Sequence, residues 1–95
     1  MKDTFTNKTV LVTGANGFVG AHLVNVLEKQ GAQVFAQVRQ NSDTYRFDRL
    51  NTKPTLIEMD LCELTTVRQH LEAIRPHYVF NTAVNRNYDD LTATI

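Results

Sequence analysis

The stretch from Val10 to Leu23, VLVTGANGFVGAHL, joins an apolar run to a glycine turn and then to the start of a helical pattern. Val10, Leu11 and Val12 have the composition of a parallel strand buried on both faces. Three glycines follow, Gly14, Gly17 and Gly20. Gly14 lets the chain turn tightly as it leaves the strand. Gly17 lets backbone approach a phosphate with no Cβ in the way, and Gly20 lets the first helical turn lie against the strand. The helix start then aims free N–H groups and its positive dipole end at an anion. These residues describe a pyrophosphate cradle; a strand–turn–helix with no ligand is the plainer alternative.

The pattern repeats along the chain. After a polar lead-in, Thr9 to Thr13 is the first strand. Phe18, Val19, His22, Leu23, Val26 and Leu27 form an apolar stripe at helical spacing, with Glu28, Lys29 and Gln30 facing water. Gly31 sits where a left-handed helix end belongs. Gln33 to Val38 is the second strand, ending at Arg39. Asn41-Ser42-Asp43 is a turn cluster. Tyr45, Phe47 and Leu50 support one short helix, with Arg46 and Arg49 on another side. Thr55 to Met59 is the third strand, with Asp60 at its carboxyl end. Glu63 to Ile74 is a second amphipathic helix whose stripe is Leu64, Val67, Leu71 and Ile74. Pro76 stops it, since proline restricts the residue before it and cannot donate the next helical bond. Tyr78 to Ala83 is the fourth strand, and Asp89 to Ile95 begins something helical. Short links between alternating strands and helices imply parallel strands and right-handed crossovers. The expected fold is α/β: the first half of a doubly wound parallel sheet, β-α-β-α-β-α-β, with strand order 3-2-1-4. Ligands of such sheets lie at the carboxyl strand ends. The glycine turn, Arg39, Asp60 and Asn81 to Val84 all fall there.

The chain has 95 residues, room for a single domain. Ten basic residues balance ten acidic ones, which gives no electrostatic argument for nucleic acid or a membrane surface. Any anion binding must come from local geometry. Cys62 is the only cysteine, so no intramolecular disulfide forms, and a cysteine metal site is disfavoured. His22 and His70 lack clustered ligand partners, so no metal site is expected. No signal-peptide stretch and no run of membrane-spanning length is present, which makes a cytoplasmic protein the default expectation.

With Thr13, the turn spells T-G-x-x-G-x-x-G, and its wording TGANGFVG resembles the extended short-chain dehydrogenase/reductase family of NAD(P)-dependent epimerases, dehydratases and related reductases. The run from Ile74 to Ala83, IRPHYVFNTA, is similar to that family's helix–strand junction, R-P-D-x-V-x-(H/N)-x-A-A. His77 stands where the family often has Asp and reads as a surface turn residue. Val84 replaces the usual second alanine and narrows the site. The resemblance implies a Rossmann-type dinucleotide-binding domain over residues 1–95, the N-terminal segment of a longer family member.

On that resemblance the cofactor-binding residues are Gly14, Asn16, Gly17, Phe18, Val19, Gly20, Arg39, Asp60, Leu61, Thr82, Ala83 and Val84. The resemblance assigns Asp60 to the adenine amino group; capping the following helix is its rival role. NAD sites place a carboxylate at the end of the second strand for the ribose 2′-hydroxyl. No acid occupies positions 37–40 here, and the Arg39 guanidinium suits a 2′-phosphate, which favours NADP over NAD. A solvated Arg39, or one paired with Asp43, is the alternative. The family's catalytic Tyr-x-x-x-Lys is absent: Tyr45 is followed at that spacing by Arg49, Tyr78 by Thr82 and Tyr88 by Thr92. This chain alone is therefore expected to be inactive, while the parent would act on a nucleotide sugar or related substrate. A non-catalytic NAD(P) sensor and a cofactor-free folding unit are the other classes in view. The uncharged fourth strand is expected to favour self-association.

Overall fold

The computed structural model describes residues 4–83. Its elements run β1 (Thr9–Thr13), α1 (Phe18–Lys29), β2 (Gln33–Val38), α2 (Tyr45–Arg49), β3 (Thr55–Glu58), α3 (Leu64–Ile74) and β4 (Tyr78–Asn81). The strands form one parallel sheet in the order β3-β2-β1-β4. This is the expected half of a doubly wound sheet. The expected third and fourth strands end early: Met59 follows β3 as a buried exit residue, 4% exposed, and Thr82 and Ala83 follow β4, which ends at Asn81. Val84 and the segment from Asp89 to Ile95 lie outside the described residues.

Strand alternation divides the sheet's two faces. Val10, Val12, Val34, Ala36 and Val38 join Ala21, Val24, Leu27 and Phe47 in one core cluster. Burying Val24 and Leu27 contributes about 1.5–3 kcal/mol each. Leu11, Thr13 and Gln37 alternate with these residues and are also buried, on the other face.

The contact line of α1 differs from the stripe of large residues read in the sequence. Gly20, Ala21, Val24 and Leu27 are buried, whereas Phe18 is 68%, Val19 66% and Val26 48% exposed. The reason is proximity. A Cβ built on Gly20 would stand 2.5 Å from the Gly14 carbonyl oxygen and 2.8 Å from the Ala15 Cα. Only small side chains fit where the helix meets the turn, so the large ones lie along its flanks. Glu28 also departs from a purely solvated role: it accepts hydrogen bonds from the buried Thr52 hydroxyl and from the Lys53 N–H, the latter at 3.1 Å.

The stripe of α3 remains largely uncovered. None of its residues is buried; Leu64 is 76% exposed, and Leu64, Val67, Leu71 and Pro76 line an open trough along the helix. Arg75 ends the helix in the left-handed region (φ 50°), immediately before Pro76. No helix among the described residues is long and apolar enough to cross a membrane.

Candidate functional site at the carboxyl strand ends

Gly14 leaves β1 at φ +65°, a conformation that side-chain-bearing residues rarely adopt. A Cβ there would also lie 2.7 Å from both the N and the Cα of Ala83. The turn is thus pressed against the exit of β4. Gly17 is the N-cap of α1, with φ −77°. A Cβ on it would meet nothing closer than the Gly14 carbonyl oxygen at 3.5 Å, so this side of the turn is open. No side chain caps α1 and no acidic residue stands in its first turn. The N–H groups of Phe18, Val19 and Gly20 have no acceptor among the described residues. An anion placed over Gly17 would satisfy these donors and meet the positive end of the helix dipole.

Side chains stitch the strand exits together. The Gln37 side chain links the turn to the exit of β3, accepting from the Gly14 N–H at 2.8 Å and donating to the Met59 carbonyl at 2.6 Å. On the other side, the Thr13 hydroxyl donates to Asn81 Oδ1 at 2.6 Å, and the Ala83 N–H donates to the same atom at 3.1 Å. The Thr82 hydroxyl donates to the Thr13 carbonyl at 2.6 Å, with the Gly14 carbonyl 3.1 Å away. Thr82 and Ala83 are thereby brought to the glycine turn.

Asn16 donates to the Asp43 carbonyl at 3.1 Å, and its own carbonyl accepts from Arg46 Nη1 at 3.3 Å. Arg46, half-buried and with its guanidinium 4.8 Å from the Tyr45 ring centre, is, like Gln37, a residue the sequence reading left out of the candidate site. The available signal was a second arginine seven positions after Arg39, on a helix too short to carry it away from the turn. Arg39 itself is exposed; its backbone carbonyl accepts the Ser42 N–H at 3.1 Å, while its guanidinium makes no hydrogen bond or ion pair with a described residue. Asp43 does not pair with it: its Oδ1 accepts the Tyr45 N–H at 3.0 Å and starts α2.

Asp60 stands at the β3 exit, with Oδ1 accepting the Cys62 N–H at 2.9 Å. It shapes the turn before α3 rather than capping the helix, whose N-cap is Glu63. Leu61 is half-buried beside it, while Phe18 and Val19 flank the mouth of the turn in solvent. His77 is far from this end. Its Nδ1 accepts the Thr9 N–H at 3.0 Å where β1 and β4 begin. Among the described residues no group of three His, Cys, Asp or Glu side chains converges on a metal position.

A parallel sheet whose first turn presents open helix N–H groups at the strand exits defines an α/β domain of the doubly wound class. Residues 10–94 match the model of the NAD dependent epimerase/dehydratase family, and the chain belongs to that family. It is 40% identical over 62 residues to dTDP-4-dehydro-6-deoxy-D-allose reductase of Streptomyces bikiniensis, covering 65% of this chain and 17% of that protein. It is 46% identical over 57 residues to the fatty acid hydroxylase uhd1 of Mycosarcoma maydis, covering 54% of this chain and 19% of that one. Among solved structures, the epimerase Mth375 of Methanothermobacter thermautotrophicus superposes with a TM-score of 0.75 at 25% identity, covering 96% of this chain and 27% of that chain. The chain thus spans less than a fifth of the length of these two curated relatives.

Proposed function

We propose that the chain binds NADP across the carboxyl ends of its sheet, as the cofactor-binding part of a nucleotide-sugar epimerase, dehydratase or related reductase. The observation that carries this is the turn itself. Gly17 leaves its outer side open, and three N–H groups behind it lack acceptors among the described residues. A pyrophosphate fits that donor set. On this reading Asn16, Phe18 and Val19 border the phosphates, and Asp60 and Leu61 border the adenine. Thr82 and Ala83 border the nicotinamide ribose. Bound there, the nicotinamide would supply hydride transfer. The chain's own residues would hold its phosphates and fix the ring's position against the β4 exit.

The preference for NADP rests on charge. No acid occupies positions 37–40, and two guanidinium groups, Arg39 and Arg46, stand beyond the end of β2. Arg46 is already held at the turn by Asn16. The nucleotide-sugar class rests on the family and on the substrate named in the Streptomyces reductase. Neither the residues nor the named relatives support a non-catalytic sensor. Calorimetric titration of the chain with NADP and NAD, beside a Gly17→Val variant, tests the reading. NADP should bind more tightly than NAD, and Gly17→Val should abolish binding of both while the variant stays folded. Unchanged affinity in folded Gly17→Val would remove the phosphate cradle.

A further inference from the structure

β2 sends Val34, Ala36 and Val38 into the core beside α1, and Gln37 to the opposite face. Gln37 is 1% exposed and in register with Ile57 of β3. An amide buried this deeply is tolerated only when its polar atoms are hydrogen-bonded. Its oxygen serves the Gly14 N–H and its nitrogen serves the Met59 carbonyl. In addition, its backbone carbonyl accepts the Ala15 N–H at 3.0 Å. One residue of the central strand pair therefore holds the first two peptides of the glycine turn and the exit of β3. The chemistry is specific: one site requires an acceptor and the other a donor. An ionised carboxylate offers only acceptors, and an apolar side chain offers neither.

We infer that Gln37 is a positioning residue that sets the spacing between the glycine turn and the Met59–Asp60 exit, so that one dinucleotide engages both together. The inference rests on the proposed placement of phosphates at the turn and adenine at Asp60–Leu61. A phosphate-only ligand reads one loop, and a nucleoside reads the other. Only a ligand that joins the two reads their separation, and it gains affinity only when the geometry allows simultaneous contact.

The test compares the whole chain with Gln37→Met, which keeps a similar length but supplies neither the amide acceptor nor its donor. Each is titrated with inorganic pyrophosphate, adenosine, ADP and NADP. Gln37→Met should weaken ADP and NADP by about tenfold or more, and pyrophosphate and adenosine by no more than about twofold. Equal loss across all four ligands, or no loss, would overturn the inference. Gln37→Glu gives an independent reading. A protonated carboxyl can both accept from Gly14 and donate to Met59, and burial favours the protonated form. The ADP affinity of Gln37→Glu relative to wild type should therefore rise as pH is lowered toward about 5. A ratio that stays flat with pH would also overturn the inference. A wild-type chain that binds neither ADP nor NADP would overturn the dinucleotide reading itself, which separates that failure from a loss of coupling.

Discussion

Arg46 donates from Nη1 to the carbonyl oxygen of Asn16 at 3.3 Å, joining α2 to the glycine turn. The Tyr45 ring lies 4.8 Å from the same guanidinium. A cation held this way keeps further donors free beside the turn, since a guanidinium carries five N–H groups. A charge-assisted bond to a 2′-phosphate contributes roughly 1.5–3 kcal/mol, and each 1.4 kcal/mol is about tenfold in affinity. Solvent and salt reduce that. Arg46→Ala should therefore lower NADP affinity by about tenfold at low salt and leave NAD within about twofold. Arg39→Asp should lower NADP affinity and raise that for NAD by offering the ribose hydroxyls an acceptor. Dissociation constants for both cofactors at two salt concentrations check this. Equal losses for NAD and NADP would show that the arginines support the turn without reading the phosphate.

Gly17 and Gly20 should respond oppositely to the same added methyl. At Gly20 the new Cβ meets backbone, at 2.5 Å from the Gly14 oxygen and 2.8 Å from the Ala15 Cα. Neither obstacle yields cheaply, and overpacking of this kind costs about 1–3 kcal/mol. In a domain of this size each kcal/mol corresponds to about 4–8 °C in Tm. Gly20→Ala should thus unfold several degrees below wild type. At Gly17 the Cβ meets only an ordinary contact at 3.5 Å, so Gly17→Ala should keep its melting temperature and lose cofactor affinity instead. Thermal denaturation and cofactor titration of the two variants separate a packing glycine from a ligand-facing one.

The sheet order was legible because strand runs, helical runs and short links alternate, and parallel connections admit few topologies. The glycine turn was legible because each glycine had a distinct mechanical reason. The contact face of α1 was not. Apolar periodicity names large residues, whereas the fit against the turn admits Gly20 and Ala21 and turns Phe18 and Val19 outward. Gln37 and Arg46 were missed as site residues for a related reason. A polar residue inside a strand and an arginine on a short helix reveal their partners only when distant segments are brought together. Gln37 meets Gly14 and Met59 across 23 and 22 positions, and Arg46 meets Asn16 across 30. Asp60 was read as a choice between adenine contact and helix cap, and it makes an Asp60–Cys62 turn bond instead of a cap.

Glu28 should contribute to stability through Thr52. The Thr52 side chain is buried at 3% exposure, and its hydroxyl donates to the Glu28 carboxylate together with the Lys53 N–H. Removing the acceptor strands a buried donor, which costs about 1–3 kcal/mol. Glu28→Ala should lower unfolding free energy by that amount. Glu28→Ala combined with Thr52→Val should recover part of it, because the orphaned hydroxyl is then gone. Denaturant unfolding of the single and double variants measures the coupling. Strict additivity would show that the two side chains act independently.

The border strand supplies the last prediction. Among the described residues, β4 stands at one edge of the sheet, next to β1 only. Tyr78 and Phe80 share the face of Val10 and Val12, where both aromatic rings pack edge-on to Phe5, at 5.1 and 5.9 Å. Val79 alternates with them and is 51% exposed; Tyr78 is 39% exposed. An edge with uncharged, apolar side chains and unpaired backbone groups is a template for another strand. Self-association of this chain through β4 is therefore expected to rise with concentration. Val79→Lys should suppress it, since a lysine on an edge strand opposes a second strand without disturbing the Phe5 contacts on the other face. Light scattering over a concentration series, on wild type and Val79→Lys, decides the matter. A wild type that stays monomeric throughout, or a Val79→Lys variant that associates as strongly as wild type, would rule out β4 as the surface involved.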